Sequence, residues 1–197
     1  MSGTLIPTAE ENEMPFPGLE IQKFAMWVFL ASEVMFFAGL IGAYVVMRFN
    51  STDWPIVAEE LNVPLVAANT FILIVSSVTM VLSLDNYENG NFDRGRQFLG
   101  ATAALGVVFL AVQGIEWAEL IGHHTLPSTS LFGATFYTLT GFHGAHVTGG
   151  VIWLLIANFS ALRGNYQDNP LGLELLGLYW HFVDLVWIIL FTIVYLV

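Results

Sequence analysis

The stretch Tyr179-Trp180-His181-Phe182-Val183-Asp184-Leu185-Val186-Trp187 sets an imidazole and a carboxylate inside an apolar run that extends from Leu171 to Val197. A run of that length, almost free of charge, can cross a bilayer as a helix. Ionisable groups at membrane depth are costly, so they are expected either to serve function or to be tightly paired. His181 and Asp184 stand three residues apart on one helical face and are expected to satisfy one another. Trp187, well inside the run, is expected to pack between helices rather than join an interfacial belt.

Working outward, four more windows of roughly 20 apolar residues precede this one, at Phe24–Met47, Pro64–Leu84, Phe98–Ile121 and Leu131–Leu162. Turn residues and charge separate them: Asn50 to Pro55, Asp85 to Arg96, Gly122 to Ser130, and Arg163 to Pro170. The expectation is an all-α membrane protein, a five-transmembrane-helix bundle spanning residues 23–197 behind a polar tail at residues 1–22. The composition agrees: 56% of residues are hydrophobic and 11% charged, with a mean hydropathy of +0.69. The start of the tail, Met1 to Pro17, lacks the basic region of a cleaved secretory signal and reads as a native cytoplasmic segment. If the spans alternate, Lys23, Arg94, Arg96 and Arg163 share the side of the N-terminus, against Arg48 opposite. The positive-inside rule then sets the N-terminus in the cytoplasm and the C-terminus outside.

Acids outnumber bases, 16 to 5, which excludes nucleic acid and a polybasic grip on anionic lipid as partners. Glu10, Glu11, Glu13, Glu20, Glu59, Glu60, Glu88 and Asp93 read as a solvated rim. The chain has no cysteine, which excludes disulfides, thiolate metal sites and thioether-linked haem.

Glu33 lies in Phe29-Leu30-Ala31-Ser32-Glu33-Val34-Met35-Phe36-Phe37, an apolar and aromatic setting. Burial there disfavours the charged carboxylate. It reads either as interhelical glue or as a proton-exchanging carboxyl. Gln113 and Glu116 share a face near the end of the third window, where structural pairing is expected and Glu119 reaches the interface. The fourth window carries His143 and His146 at a spacing that can chelate a metal, but no compact three- or four-ligand set accompanies them. Hydrogen-bonded structural histidines are the expectation. Gly141, Ala145 and Gly149 form a small-residue stripe suited to close helix packing.

Five segments together resemble subunit III of the haem-copper terminal oxidases. They are Ser32 to Phe37, Asn69-Thr70, Glu116-Trp117, Thr140-Gly141-Phe142-His143-Gly144-Ala145-His146-Val147, and the block at 179–187. The resemblance implies a non-catalytic accessory subunit of a respiratory oxidase of the cytochrome c oxidase type, in a prokaryotic plasma membrane. It implies no cofactor in this chain, haem and copper in partner subunits I and II, bound phospholipid, and a possible place in a larger respiratory supercomplex. It also implies that Glu33 is the carboxyl that reacts with hydrophobic carbodiimides, with Glu116, His143, His146, His181 and Asp184 as an intramembrane polar network. The mitochondrial form has seven helices, so the first two are expected to be missing here. Within the superfamily a quinol oxidase, or the subunit III-like protein of nitric oxide reductases, remains an alternative. An independent proton-coupled transporter is disfavoured by the lack of an inverted repeat or broken helix, and a haem-binding electron carrier is a further rival.

Overall fold

The computed structural model describes residues 20–52, 54–55 and 61–197; the tail up to residue 19 and the rim acids Glu10, Glu11, Glu13, Glu59 and Glu60 lie outside the described residues. Five helices are long and apolar enough to cross a membrane. They are α1 (Ile21–Asn50), α2 (Val63–Glu88), α3 (Phe92–Gly122), α4 (Leu131–Leu162) and α5 (Leu171–Phe191), the last running on into a π-helical turn at Thr192–Leu196. No strand occurs among the described residues. At 1.5 Å per residue the longer helices reach about 45 Å, so their ends project beyond a hydrocarbon layer of about 30 Å.

Local chemistry explains where the helices begin and end. The Asn62 side chain caps α2 by accepting from Leu65 N–H, and Ser130 caps α4 by accepting from Gly133 N–H at 2.9 Å. Three helices end in the same paired-carbonyl closure. Gly90 and Asn91 donate to the Tyr87 and Asn86 carbonyls, Gly164 and Asn165 to Ala161 and Ser160, and His124 and Thr125 to Ile121 and Leu120. This closure demands a left-handed residue, supplied by Gly90 (φ 75°) and Gly164 (φ 80°) but by His124 (φ 61°) at the end of α3.

Helices α2 to α5 form a closed ring in which each packs on its two neighbours, α2 on α3, α3 on α4, α4 on α5 and α5 on α2; α1 lies outside the ring, against α4 and α5. Between membrane helices the hydrophobic effect is weak, so small residues and interhelical hydrogen bonds carry the association. The α2–α3 pair shows this along its length: Asn69 donates to the Phe109 carbonyl, the Thr79 and Thr102 hydroxyls bond at 2.8 Å, and Ser83 donates to the Gly95 carbonyl. A Cβ on Gly95 would stand 2.6 Å from the Tyr87 ring, so glycine is required there.

Trp180 of α5 sits where the four helices meet. Its indole is 1% exposed. A Cβ on Gly106 of α3 or on Gly150 of α4 would lie 2.8 Å from the ring, and its Nε1 donates to Ser76 Oγ of α2 at 3.0 Å. The close approach expected of Gly141, Ala145 and Gly149 is therefore made by Gly106 and Gly150 instead. Ala145 and Gly149 face outward, and Gly141 meets only the far edge of Trp117. The physical reason is register: one α4 face must receive the Trp180 ring, and Gly150 rather than Gly149 lies on it.

Helix α1 is different in kind. Only Leu30, Phe37 and Tyr44 are buried, a single stripe at seven-residue spacing. Lys23 pairs with Glu174 of α5 at 2.8 Å at one end. At the other, Arg48 donates to the Tyr44 hydroxyl, to the Ile193 carbonyl on the π turn and to the carbonyl of Val197 just after it. The start of α1 thus shares an end of the bundle with the start of α5, as alternating spans require.

Candidate functional site

Glu33 and the five residues of the expected intramembrane network fall into three clusters, on different helix pairs.

The first joins α1 to α4. Glu33 Oε2 lies 3.1 Å from His146 Nε2, and both side chains keep a minor exposure of 18% and 20%. Glu33 is thus half-buried rather than fully enclosed. The other ring nitrogen, Nδ1, lies 2.7 Å from the Phe142 carbonyl one turn earlier. Tyr179 of α5 donates to the His146 carbonyl at 2.9 Å, and Phe37 packs edge-on to the imidazole with centroids 5.1 Å apart.

The second cluster lies inside the ring. Glu116 is 3% exposed, and the Tyr195 hydroxyl donates to its Oε2 at 3.0 Å. Tyr195 belongs to the π turn and is buried there; π-helical turns inside helices are frequent at functional sites. Gln113 does not pair with Glu116 but donates to the Thr140 carbonyl of α4 at 3.2 Å. His143 corrects a second expectation. It is fully buried with neither ring nitrogen hydrogen-bonded. It is held by aromatic packing instead, stacked on Trp187 at 4.8 Å and edge-to-face with Phe109 at 6.0 Å. Trp187 is buried as expected, and its Nε1 donates to Thr70 Oγ1 at 2.9 Å.

The third cluster joins α2 to α5. His181 and Asp184 are not bonded to one another; Ser77 Oγ of α2 lies 3.1 Å from His181 Nδ1, and Asp184 Oδ1 is buried without a hydrogen-bond partner among the described residues. The α2 hydroxyl takes the imidazole nitrogen in place of the carboxyl one turn away.

Loss of the Tyr195 hydroxyl should be costly. In Tyr195→Phe both carboxyl oxygens of Glu116 are left buried without a partner, which is expected to destabilise by about 1–3 kcal/mol. Glu116→Gln, which keeps an acceptor for the phenol, should cost less. Unfolding of both variants in bicelles, followed by circular dichroism, checks the order; equal losses would sink this account.

Sequence reasoning missed Thr70, Ser76, Ser77 and Tyr195 as partners. A signal existed in α2, where Val66, Leu73, Met80 and Tyr87 are buried at seven-residue spacing and Thr70, Ser76 and Ser83 are buried with them. Tyr195 stands eight residues after Trp187, a spacing that keeps both on one broad helix face.

Among the described residues no three His, Asp or Glu side chains are placed to hold one metal ion. A family model described as cytochrome c oxidase subunit III matches residues 16–197. The chain belongs to that family. Named relatives agree. It is 33% identical to the cytochrome c oxidase subunit 3 of Bacillus sp. strain PS3, covering 100% of this chain and 95% of the relative. It is 39% identical to the cytochrome c oxidase subunit 3 of a Synechocystis strain, over 90% of this chain and 76% of the relative. It is also 34% identical to the cytochrome bo(3) ubiquinol oxidase subunit 3 of Pseudomonas aeruginosa, over 88% of this chain and 83% of the relative. This subunit III chain is therefore a multi-pass membrane protein of the haem-copper oxidase family, with Glu33 and His146 on the α1–α4 contact.

Proposed function

We propose that this chain is the accessory subunit of a haem-copper terminal oxidase, stabilising the catalytic subunit and supporting proton uptake, with haem and copper held by partner subunits I and II. The family match over residues 16–197 carries the reading. The internal polar groups support it, since most have partners of a structural kind within the bundle. The apolar groove of about 470 Å³ between α1 and α5, bordered by Trp27, Val34, Leu178 and Leu185, has the chemistry to take a phospholipid chain. The bacterial relatives support a prokaryotic plasma membrane, with the end bearing Lys23, Arg94, Arg96 and Arg163 in the cytoplasm.

Cytochrome c is the proposed electron donor of the complex. The Pseudomonas relative, named as a ubiquinol oxidase subunit, keeps a quinol donor as the second reading. Oxygen consumption by the purified complex with reduced cytochrome c, and separately with a quinol, distinguishes them.

The accessory role is tested by a time course of oxygen consumption with and without this subunit. The depleted enzyme should start at a near-normal rate and lose activity sooner. No activity from the first turnover, with intact haem spectra, would show a direct catalytic contribution instead. Equal rate and lifetime would remove the stabilising role.

A further inference from the structure

Helix α1 is the least enclosed of the five. Its buried stripe is one residue wide, at Leu30, Phe37 and Tyr44. Grooves open on both sides of that stripe. One faces α5, with His181 on its wall, and the other, of about 230 Å³, faces α4 between Tyr44, Met47, Leu131 and Thr135. At mid-depth α1 meets α4 through ring contacts, Phe36 on Phe142 and Phe37 on His146, and through one hydrogen bond between side chains. That bond is Glu33 to His146.

The geometry also fixes how many protons the bond contains. His146 Nδ1 lies 2.7 Å from the Phe142 carbonyl, which can only accept, so Nδ1 carries a hydrogen. In the neutral ring Nε2 is then bare, and only a donor can bond it. Glu33 is that donor when it is a carboxylic acid. Moving the same proton from Oε2 to Nε2 gives a carboxylate facing an imidazolium, joined by the same hydrogen bond and with the same net charge of zero. Removing it sets a carboxylate against a bare nitrogen, lone pair against lone pair. Adding a second leaves a net positive charge in an apolar layer.

Among the described residues, the titratable groups of α4 and α5 around the contact are Tyr179, His143 and His181, and His181 meets Ser77 of α2. Tyr179, facing from α5, commits its hydroxyl to the His146 carbonyl, and His143, on the neighbouring turn of α4, is buried inside the ring. Lys23 and Arg48 lie roughly three and four turns away along α1, Lys23 paired with Glu174 of α5 and Arg48 with the π turn that follows it.

We propose that, within the subunit III reading given above, Glu33 and His146 share a single proton and that this proton fastens α1 to α4. His146 is the positioning partner of the Glu33 carboxyl, and α1 is a helix whose attachment depends on a protonation state.

The test uses the full chain in phosphatidylcholine nanodiscs. With ¹⁵N-labelled histidine, the His146 signals, assigned by their loss in His146→Gln, should show Nδ1 protonated at neutral pH. Glu33→Gln should keep that tautomer, because the amide N–H can donate to the bare Nε2. The attachment is read by spin labels on Met35→Cys and Ile152→Cys, in a chain with no other cysteine. The interlabel distance distribution should match the parent in Glu33→Gln and broaden in Glu33→Leu and His146→Phe. A neutral His146 carrying its hydrogen on Nε2 would overturn the proposal, as would an unchanged distribution in Glu33→Leu. The tautomer is read on the unaltered chain, so it decides even if a variant fails to fold. Neither readout involves oxygen chemistry. A wrong tautomer in a chain that assembles into an active oxidase refutes the latch alone, and the expected tautomer in a chain without oxidase partners refutes only the function.

Discussion

Trp180→Ala is expected to destabilise the bundle by about 3 kcal/mol, the low end of the range for tryptophan in soluble cores. Lipid already supplies an apolar environment to the separated helices, so the transfer component shrinks while the cavity component remains. The cavity would open where all four ring helices meet, since the indole fills the space that Gly106 and Gly150 leave and bonds Ser76. Filling that space from the other side should also be harmful: Gly106→Leu or Gly150→Leu forces the ring out of place at about 1–3 kcal/mol. Gly149→Ala, facing outward, should stay within about 0.5 kcal/mol of the parent. Unfolding midpoints in bicelles, read by loss of helicity, rank the four variants. If Gly149→Ala costs as much as Gly150→Leu, the Trp180 keystone is wrong.

A membrane-soluble carbodiimide should modify Glu33 and leave the other acids largely untouched. The carboxyl proton passes to a carbodiimide nitrogen, and the carboxylate oxygen then attacks the central carbon to give an O-acylisourea, which rearranges to a stable N-acylurea. That sequence needs both a protonated carboxyl and access from the apolar phase. Glu33 combines a proton shared with His146 and a side chain that remains 18% exposed. Glu116 is 3% exposed and sealed behind Tyr195, whereas Glu88 and Asp93 sit at the exposed helix ends. Peptide mass spectrometry after labelling at neutral pH gives the distribution. Labelling concentrated on Glu116 would mean that burial rather than access governs reactivity, and labelling of Glu88 or Asp93 with Glu33 unmodified would remove the case for an acid form at Glu33.

The five spans, their order and their separators were legible in the sequence. A helix in lipid must satisfy its own backbone, so a long apolar run bounded by turn chemistry admits one solution. Leu131–Leu162 matches the expected bounds, and α3 begins earlier than its apolar window because the polar turn from Phe92 to Gln97 is also helical. The blocks around Glu33, His143 and His181 marked a subunit III chain before any geometry was known, and the family match agrees.

Tertiary structure alone decided what those side chains do. Spacing suggested that His181 would pair with Asp184 and Gln113 with Glu116, but His181, Gln113 and Glu116 each meet a partner on another element, because a neighbour's hydroxyl, carbonyl or phenol stands within reach. Spacing could not tell Gly149 from Gly150, since adjacent residues on a helix differ by about 100° in direction and only the position of Trp180 chooses between them. Nor could it pair Glu33 with His146, which lie 113 residues apart. Periodicity specifies a face, whereas a partner is specified by which helix that face meets and at what height.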